Sequence, residues 1–236
     1  MKGRIFNIAV LAVLFNANGP AATLVKSGTF GGMKVDYKVL LPEGFDAAKT
    51  YPVILAFAGG SQDMPIVDNG LSRYWGLEGK KRGYIVVSPA APHGDLFHQG
   101  GAKVFPEFLD MILHDYKVRD GKMHVAGFSN GGISAFFVAS HYPQYFWSVT
   151  GLPGLLEDAG SETVEALKPM CLYMLVGGND DGWRAAMEQQ SKMFRKKGYT
   201  VEFHVEEGQS HVLNLGAEGD ARLFDHLDAA AKGCSK

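Results

Sequence analysis

Gly127-Phe128-Ser129-Asn130-Gly131-Gly132 lies between an apolar run, His124–Phe128, and a stretch of helical period, Gly132–His141. A serine set in a sharp strand-to-helix turn holds its hydroxyl above a sheet. Glycine two residues to each side leaves room for the neighbouring chain. The helix that follows also aims its first amides at any negative charge developing beside the serine. The G-x-S-x-G spacing recurs easily in a glycine-rich chain, so its weight comes from the strand before it and the helix after it. Both are present here.

Working outward from this turn, the same alternation fills the chain. Val53–Ala58, Tyr84–Ser88, Phe146–Gly151, Leu172–Val176 and Val201–Val205 are continuous apolar runs, too uniform for strands with one wet face. Helical periodicity marks Leu71–Arg82, Phe105–Tyr116, Arg184–Lys197 and Leu223–Lys232. Buried strands alternating with helices predict an α/β fold with a mostly parallel central sheet covered on both faces. At its start, Leu24–Phe30 and Lys34–Leu41 flank Gly31-Gly32 as an antiparallel hairpin. Lys80-Lys81-Arg82-Gly83 and Arg195-Lys196-Lys197-Gly198 read as helix ends, with cations in the last turn and a left-handed glycine after it.

A serine nucleophile needs a base and an acid to orient the base. In this architecture they arrive in that chain order reversed, acid first and then histidine, at the carboxyl ends of later strands. After Leu172–Val176 comes Gly177-Gly178-Asn179-Asp180-Asp181; after Val205 comes Glu206-Glu207-Gly208-Gln209-Ser210-His211. His211 is therefore the expected base. Asp180 is favoured as the acid, with Asp181 kept open as either the acid or a cap for the helix starting near Trp183. The strand Val53–Ala58 opens into Gly59-Gly60-Ser61, suited to offer a backbone N–H beside that of Asn130 to a tetrahedral oxyanion. Gly60 is the first choice for that donor and Ser61 the second.

The 236 residues include 25 acidic and 23 basic side chains, 46% hydrophobic residues, 30 glycines and two cysteines. That hydrophobic share supports one well-buried core and argues against disorder. A net charge of −2 gives no electrostatic footprint for nucleic acid. Met1-Lys2-Gly3-Arg4, the apolar run Ile5 to Phe15 and the small residues up to Ala22 read as a secretory signal peptide over residues 1–22. An apolar run of roughly 11 residues falls well short of the roughly 20 that span a bilayer, so no stable membrane anchor is expected once the signal is removed. Residues 23–236 are expected to form a single domain, with little chain left for a lid and hence an open cleft. Export permits a Cys171–Cys234 disulfide, which two cysteines alone do not establish.

Other conspicuous residues have plainer readings. His93, Asp95 and His98 share a loop on the expected active-site side, but their spacing completes no metal-ligand set, so loop or pocket roles are favoured. His124 and His204 fall within predicted strands as structural histidines. Tyr74, Trp75 and Trp183 could line a pocket, although large aromatics are more often core; Phe105, Phe108 and Phe128 are read the same way.

With these residues in place the chain resembles the α/β-hydrolase superfamily over everything after the export segment. The closer likeness is to secreted esterases of the polyhydroxybutyrate-depolymerase and feruloyl-esterase-like group. It is carried by Leu41-Pro42-Glu43-Gly44-Phe45, Gly59-Gly60-Ser61, Gly127 to Gly132, and His141-Tyr142-Pro143 with Phe146. Many relatives have His-Gly at the oxyanion strand, where this chain has Ala58-Gly59. The resemblance implies a serine carboxylesterase working without metal or organic cofactor on a small-molecule or polymer-borne ester of short acyl, hydroxyacyl or plant-cell-wall type. In it Ser129 attacks, His211 moves the proton, and Asp180 orients the imidazole. A peptidase or amidase, and a phospholipase/carboxylesterase-type (thio)esterase, are the competing readings.

Overall fold

The computed structural model describes residues 19–234. The expected signal segment lies outside the described residues except for Gly19 to Ala22; the Gly19 carbonyl accepts the Gly44 amide at 2.9 Å. The strands are β1 (Ala22–Phe30), β2 (Met33–Leu41), β3 (Val53–Phe57), β4 (Ile85–Pro89), β5 (Met123–Gly127), β6 (Phe146–Gly151), β7 (Cys171–Gly177) and β8 (Val201–Glu206). They form one eight-stranded sheet in the order β1-β2-β4-β3-β5-β6-β7-β8. β1 pairs antiparallel with β2, and β2 with β4; every later pairing is parallel. The expected hairpin and the mostly parallel sheet are both present.

The helices are α1 (Met64–Gly70), α2 (Gly76–Arg82), α3 (Glu107–Asp115), α4 (Asn130–His141), α5 (Ser161–Ala166), α6 (Asp181–Lys196) and α7 (Gly216–Ala230). Alternation along β3 shows why both sheet faces need cover. Val53, Leu55 and Phe57 pack with residues of α3, α4, α5 and α6, whereas Ile54 and Ala56 pack with Val67 of α1 and Leu223, Phe224 and Leu227 of α7. Each such large side chain contributes roughly 1.5–3 kcal/mol on burial, so neither layer is dispensable. Gly83 and Gly198 follow α2 and α6 in the left-handed conformation, as their basic last turns predict.

The structure also departs from the sequence reading. α1 and α5 were not expected, and the helix predicted from Leu71 opens with a π-helical turn, Leu71–Trp75, before α2. α7 begins seven residues before the predicted Leu223. Cys171 and Cys234 form a disulfide with Cα atoms 5.7 Å apart, tying the start of β7 to the segment after α7.

At the open edge, β8 is half-buried along its whole length. Glu202 there faces His226 of α7 at 3.2 Å, and Glu206 pairs with Arg222. The hydrogen bond from His226 pulls the Glu202 carboxyl down to about 2. Asp220 shows the opposite case. Its Oδ1 is buried without a partner among the described residues, and burial together with Glu78 pushes its carboxyl up to about 6. A native carboxyl raised above its unfolded value binds protons more tightly than the unfolded chain, so stability falls as pH rises from about 4 through 6. Asp220→Asn is expected to melt higher than the parent at pH 8 and level with it at pH 4, by differential scanning fluorimetry. Solvent screening at this partly exposed position holds the gain to roughly 1–3 °C.

Candidate active site

The turn between β5 and α4 holds Ser129 at φ 57° and ψ −126°, a strained conformation for a residue with a side chain. The neighbouring glycines are required by contact. A Cβ on Gly127 would sit 2.1 Å from the Gly131 carbonyl oxygen, and one on Gly131 would sit 2.3 Å from the Phe57 and Ala58 carbonyl oxygens. The Ser129 amide donates to the Pro153 carbonyl at 2.8 Å, which fixes the turn from the β6 side. Asn130 is the first residue of α4, where an amide has no acceptor within its own helix.

β7 leads into the turn that carries Asp180. Its terminal turn is closed by the Asp180 amide on the Gly177 carbonyl at 3.1 Å. Asp180 stands at the N-cap position of α6 but makes no cap hydrogen bond; its Oδ2 lies 2.7 Å from His211 Nδ1. His211 Nε2 is in turn 2.8 Å from Ser129 Oγ. Three residues from three strand ends thus form one hydrogen-bonded chain. Asp181 is exposed and opens α6 as its first residue, so neither role left open for it in the sequence matches its place. The Asp180 side chain is 14% exposed and that of His211 38% exposed, which leaves the imidazole reachable from outside while its acid stays sheltered.

The histidine loop is held by groups that the sequence did not single out. The Asn179 amide donates to the Gln209 carbonyl at 2.8 Å, coupling the acid turn to this loop. Gln209 clamps Asn214 from both sides, accepting from its amide at 2.6 Å and donating to its carbonyl at 3.0 Å, so that His211 lies within the clamp. The Tyr74 hydroxyl donates to the Leu213 carbonyl at 2.9 Å; burial pushes this phenol up to about 12, so it stays a donor. Tyr74 and Trp75 are core, as their size suggested, whereas Trp183 is half-buried with its ring centroid 5.4 Å from that of His211. No local pattern marks Gln209 as a clamp, since its partner is defined only once the loop closes.

On the other side of the serine, Gly60 is left-handed at φ 53° in a turn closed by the Gln62 amide on the Gly59 carbonyl at 2.8 Å. Asn130 Nδ2 donates to the Gly60 carbonyl at 2.9 Å, joining this turn to the serine turn. The Ser61 hydroxyl donates to Asp63, the N-cap of α1, at 2.6 Å. His98 and His93 take no shared site: His98 bonds Ser134 at 3.1 Å, and burial lowers its pKa, while His93 stands in a separate short turn. His124 is buried against Ser148 at 2.8 Å and burial pulls it down to about 3; His204 is partly exposed beside Glu202.

The chain is similar to several known proteins. "Probable feruloyl esterase C" of Aspergillus terreus is 27% identical over 124 residues, half of this chain and 46% of that protein. Dipeptidyl-peptidase 5 of Porphyromonas endodontalis is 29% identical over 136 residues, again half of this chain but 19% of that one. The chain thus spans less than half the length of these curated relatives. A solved ferulic acid esterase superposes with a TM-score of 0.70 at 20% identity, covering 91% of this chain and 99% of that one; at this identity the match speaks for the α/β-hydrolase fold. The Esterase family model matches residues 27–216, from within β1 to the first residue of α7, and on that extent the chain belongs to the Esterase family.

Proposed function

We propose that this protein is an exported serine carboxylesterase that works through an acyl-enzyme on Ser129. The observation that carries the reading is His211, bridging Ser129 Oγ at 2.8 Å and Asp180 Oδ2 at 2.7 Å. Ser129 Oγ attacks the ester carbonyl as His211 Nε2 takes its proton; Asp180 holds Nδ1–H and stabilises the imidazolium. The amides of Gly60 and Asn130 receive the oxyanion. His211 then passes the proton to the leaving alkoxide, which departs as the alcohol. Water repeats the sequence on the acyl-enzyme, releasing the acid and restoring Ser129. No metal or organic cofactor takes part.

Two features support a short or ring-sized group beside the serine. Val212, next to His211, is 56% exposed and offers an apolar rim with Trp183. Ile133 and Phe137 lie one and two turns beyond Ser129 on the same side of α4 and line a neighbouring recess of about 120 Å³ with Leu156, His98, His141, Glu157 and Asp158. A recess of this size, apolar at Ile133, Phe137 and Leu156 and polar at His98, His141, Glu157 and Asp158, has room for a small acyl group or one ring rather than a long chain. Export is supported by the basic start and apolar run, and by the Cys171–Cys234 disulfide, which persists in oxidising compartments.

The likeness to a dipeptidyl peptidase makes amide cleavage the competing reading. A panel of 4-nitrophenyl acetate, butyrate and decanoate, methyl ferulate and aminoacyl 4-nitroanilides separates the two. Acetate, butyrate or ferulate esters are expected to exceed the decanoate and every anilide by at least about 100-fold in kcat/KM, the scale on which a fitted pocket discriminates. Anilide turnover equal to ester turnover would transfer the protein to the peptidases.

A further inference from the structure

Gln62 has no part in the hydrogen-bonded chain from Asp180 to Ser129, yet it is the most completely engaged polar residue near it. It is fully buried and left-handed at φ 54°, a conformation that a glutamine holds only when its surroundings enforce it. Its amide closes the Gly59–Gln62 turn and its carbonyl accepts from Ala91 at 2.8 Å. Its side-chain Nε2 donates to the Ala58 carbonyl and to Ser134 Oγ, both at 3.0 Å, and its Oε1 accepts the Phe97 amide at 3.0 Å. A carbonyl can only accept and an amide can only donate, so these partners fix the orientation of the side-chain amide.

The donor directions beyond Gln62 follow from the same rule. His98 Nδ1 lies 3.1 Å from Ser134 Oγ, whose one proton goes to a carbonyl that can only accept, so Nδ1 is placed to donate to Ser134. Ser134 therefore receives from both His98 and Gln62, and its single hydroxyl proton goes to the Asn130 carbonyl at 3.0 Å. Burial of His98 disfavours the charged imidazolium and so agrees with this neutral tautomer. Two bridges thus link the Gly60 turn to the start of α4. One is Asn130 Nδ2 on the Gly60 carbonyl; the other runs from Gln62 through Ser134 to the Asn130 carbonyl.

We propose that Gln62 is a positioning residue for ester hydrolysis: it locks the turn carrying Gly60 to the helix start carrying Asn130, so that their two amides converge on the oxyanion before substrate arrives. The inference rests on the serine-esterase reading above. Its physical basis is that oxyanion donors act without reorganisation, and that a displacement near 1 Å costs about 100-fold in rate. Gln62→Met keeps the volume and removes every side-chain hydrogen bond, while Ser134→Ala cuts the bridge and leaves the bonds of Gln62 to Ala58 and Phe97 in place.

The test uses the full chain, 4-nitrophenyl acetate as substrate, and two ketone inhibitors with the same aryl group. An aryl trifluoromethyl ketone adds Ser129 and presents an oxyanion; the matching aryl methyl ketone binds as a ground-state ligand. Gln62→Met is expected to lower kcat 30- to 100-fold with KM within twofold of the parent. The Ki of the trifluoromethyl ketone should rise by the same factor and that of the methyl ketone should stay within twofold. Ser134→Ala should lower kcat five- to tenfold with the same inhibitor signature. The proposal is overturned if kcat of Gln62→Met stays within threefold of the parent, or if kcat falls while the trifluoromethyl ketone binds as before. Should Gln62→Met not fold, Ser134→Ala decides by the same signature, and a kcat within twofold of the parent overturns the proposal. Failure of the underlying reading looks different, because the parent protein itself would then turn over anilides as fast as esters, or not turn over esters or not react with a fluorophosphonate.

Discussion

Ser129→Ala is expected to abolish ester turnover, lowering kcat/KM by about 10⁵- to 10⁶-fold, and to end covalent labelling by a fluorophosphonate. The size follows from how the three groups depend on one another. Without the Ser129 hydroxyl, His211 has no proton to take and Asp180 no imidazolium to stabilise. What remains is binding and the oxyanion amides acting on water, a residual of roughly 10³–10⁴ over the uncatalysed reaction. The substitution should leave the fold intact. The Ser129 amide remains on Pro153 and the Ile133 amide on the Ser129 carbonyl, and the helix start is unchanged. Melting within about 2 °C of the parent, beside lost activity, separates chemistry from unfolding. An alanine variant that still hydrolysed esters at a tenth of the parental rate would remove Ser129 from its role.

The second large effect distinguishes two neighbouring carboxylates. Asp180→Asn is expected to lower kcat about 10⁴-fold with little change in KM, whereas Asp181→Asn stays within about threefold. An asparagine at position 180 can turn its NH₂ toward His211 Nδ1. That nitrogen then becomes an acceptor and the ring proton moves to Nε2, where it blocks removal of the Ser129 proton. Asp181 is an exposed first-turn residue of α6, where a carboxylate favours the helix dipole by about 0.3–1 kcal/mol. Steady-state kinetics of the two variants checks the ranking, and a reversal would reassign the acid to Asp181.

Much of this architecture can be read directly from residues because its signals are local. The apolar runs at Val53–Ala58 and Leu172–Val176, the glycines around Ser129 and the basic helix ends before Gly83 and Gly198 each encode their structure within a dozen positions. That Ser129, Asp180 and His211 would come together was legible for another reason, since chain order in a parallel sheet dictates which strand ends share a rim. What stayed hidden lacks a local signature. α1 is seven residues containing Pro65, Asn69 and Gly70, and α5 is six mostly polar residues; neither carries a full period of apolar positions. Asp180 was favoured over Asp181 from its distance past the strand, but a capping and an orienting aspartate have similar spacing, and it is the turn of its carboxylate toward His211 that sets Asp180 apart. Gln62 was invisible because glutamine does not advertise a left-handed backbone. Its partners Phe97 and Ser134, 35 and 72 residues away, meet it only in the folded chain.

The charges along β8 bear on how the molecule behaves among other chains. An edge strand offers unpaired amides and carbonyls to any extended segment that drifts against it. Here the approach runs past Glu202 and Glu206, and with its carboxyl at about 2, Glu202 keeps its charge through nearly the whole range of natural acidity. A further strand laid along this edge would have to bury that charge or break its bond to His226. The ion pairs that brace α7 against the sheet therefore also set charge along its β8 edge, the kind of residue that blunts edge-to-edge pairing.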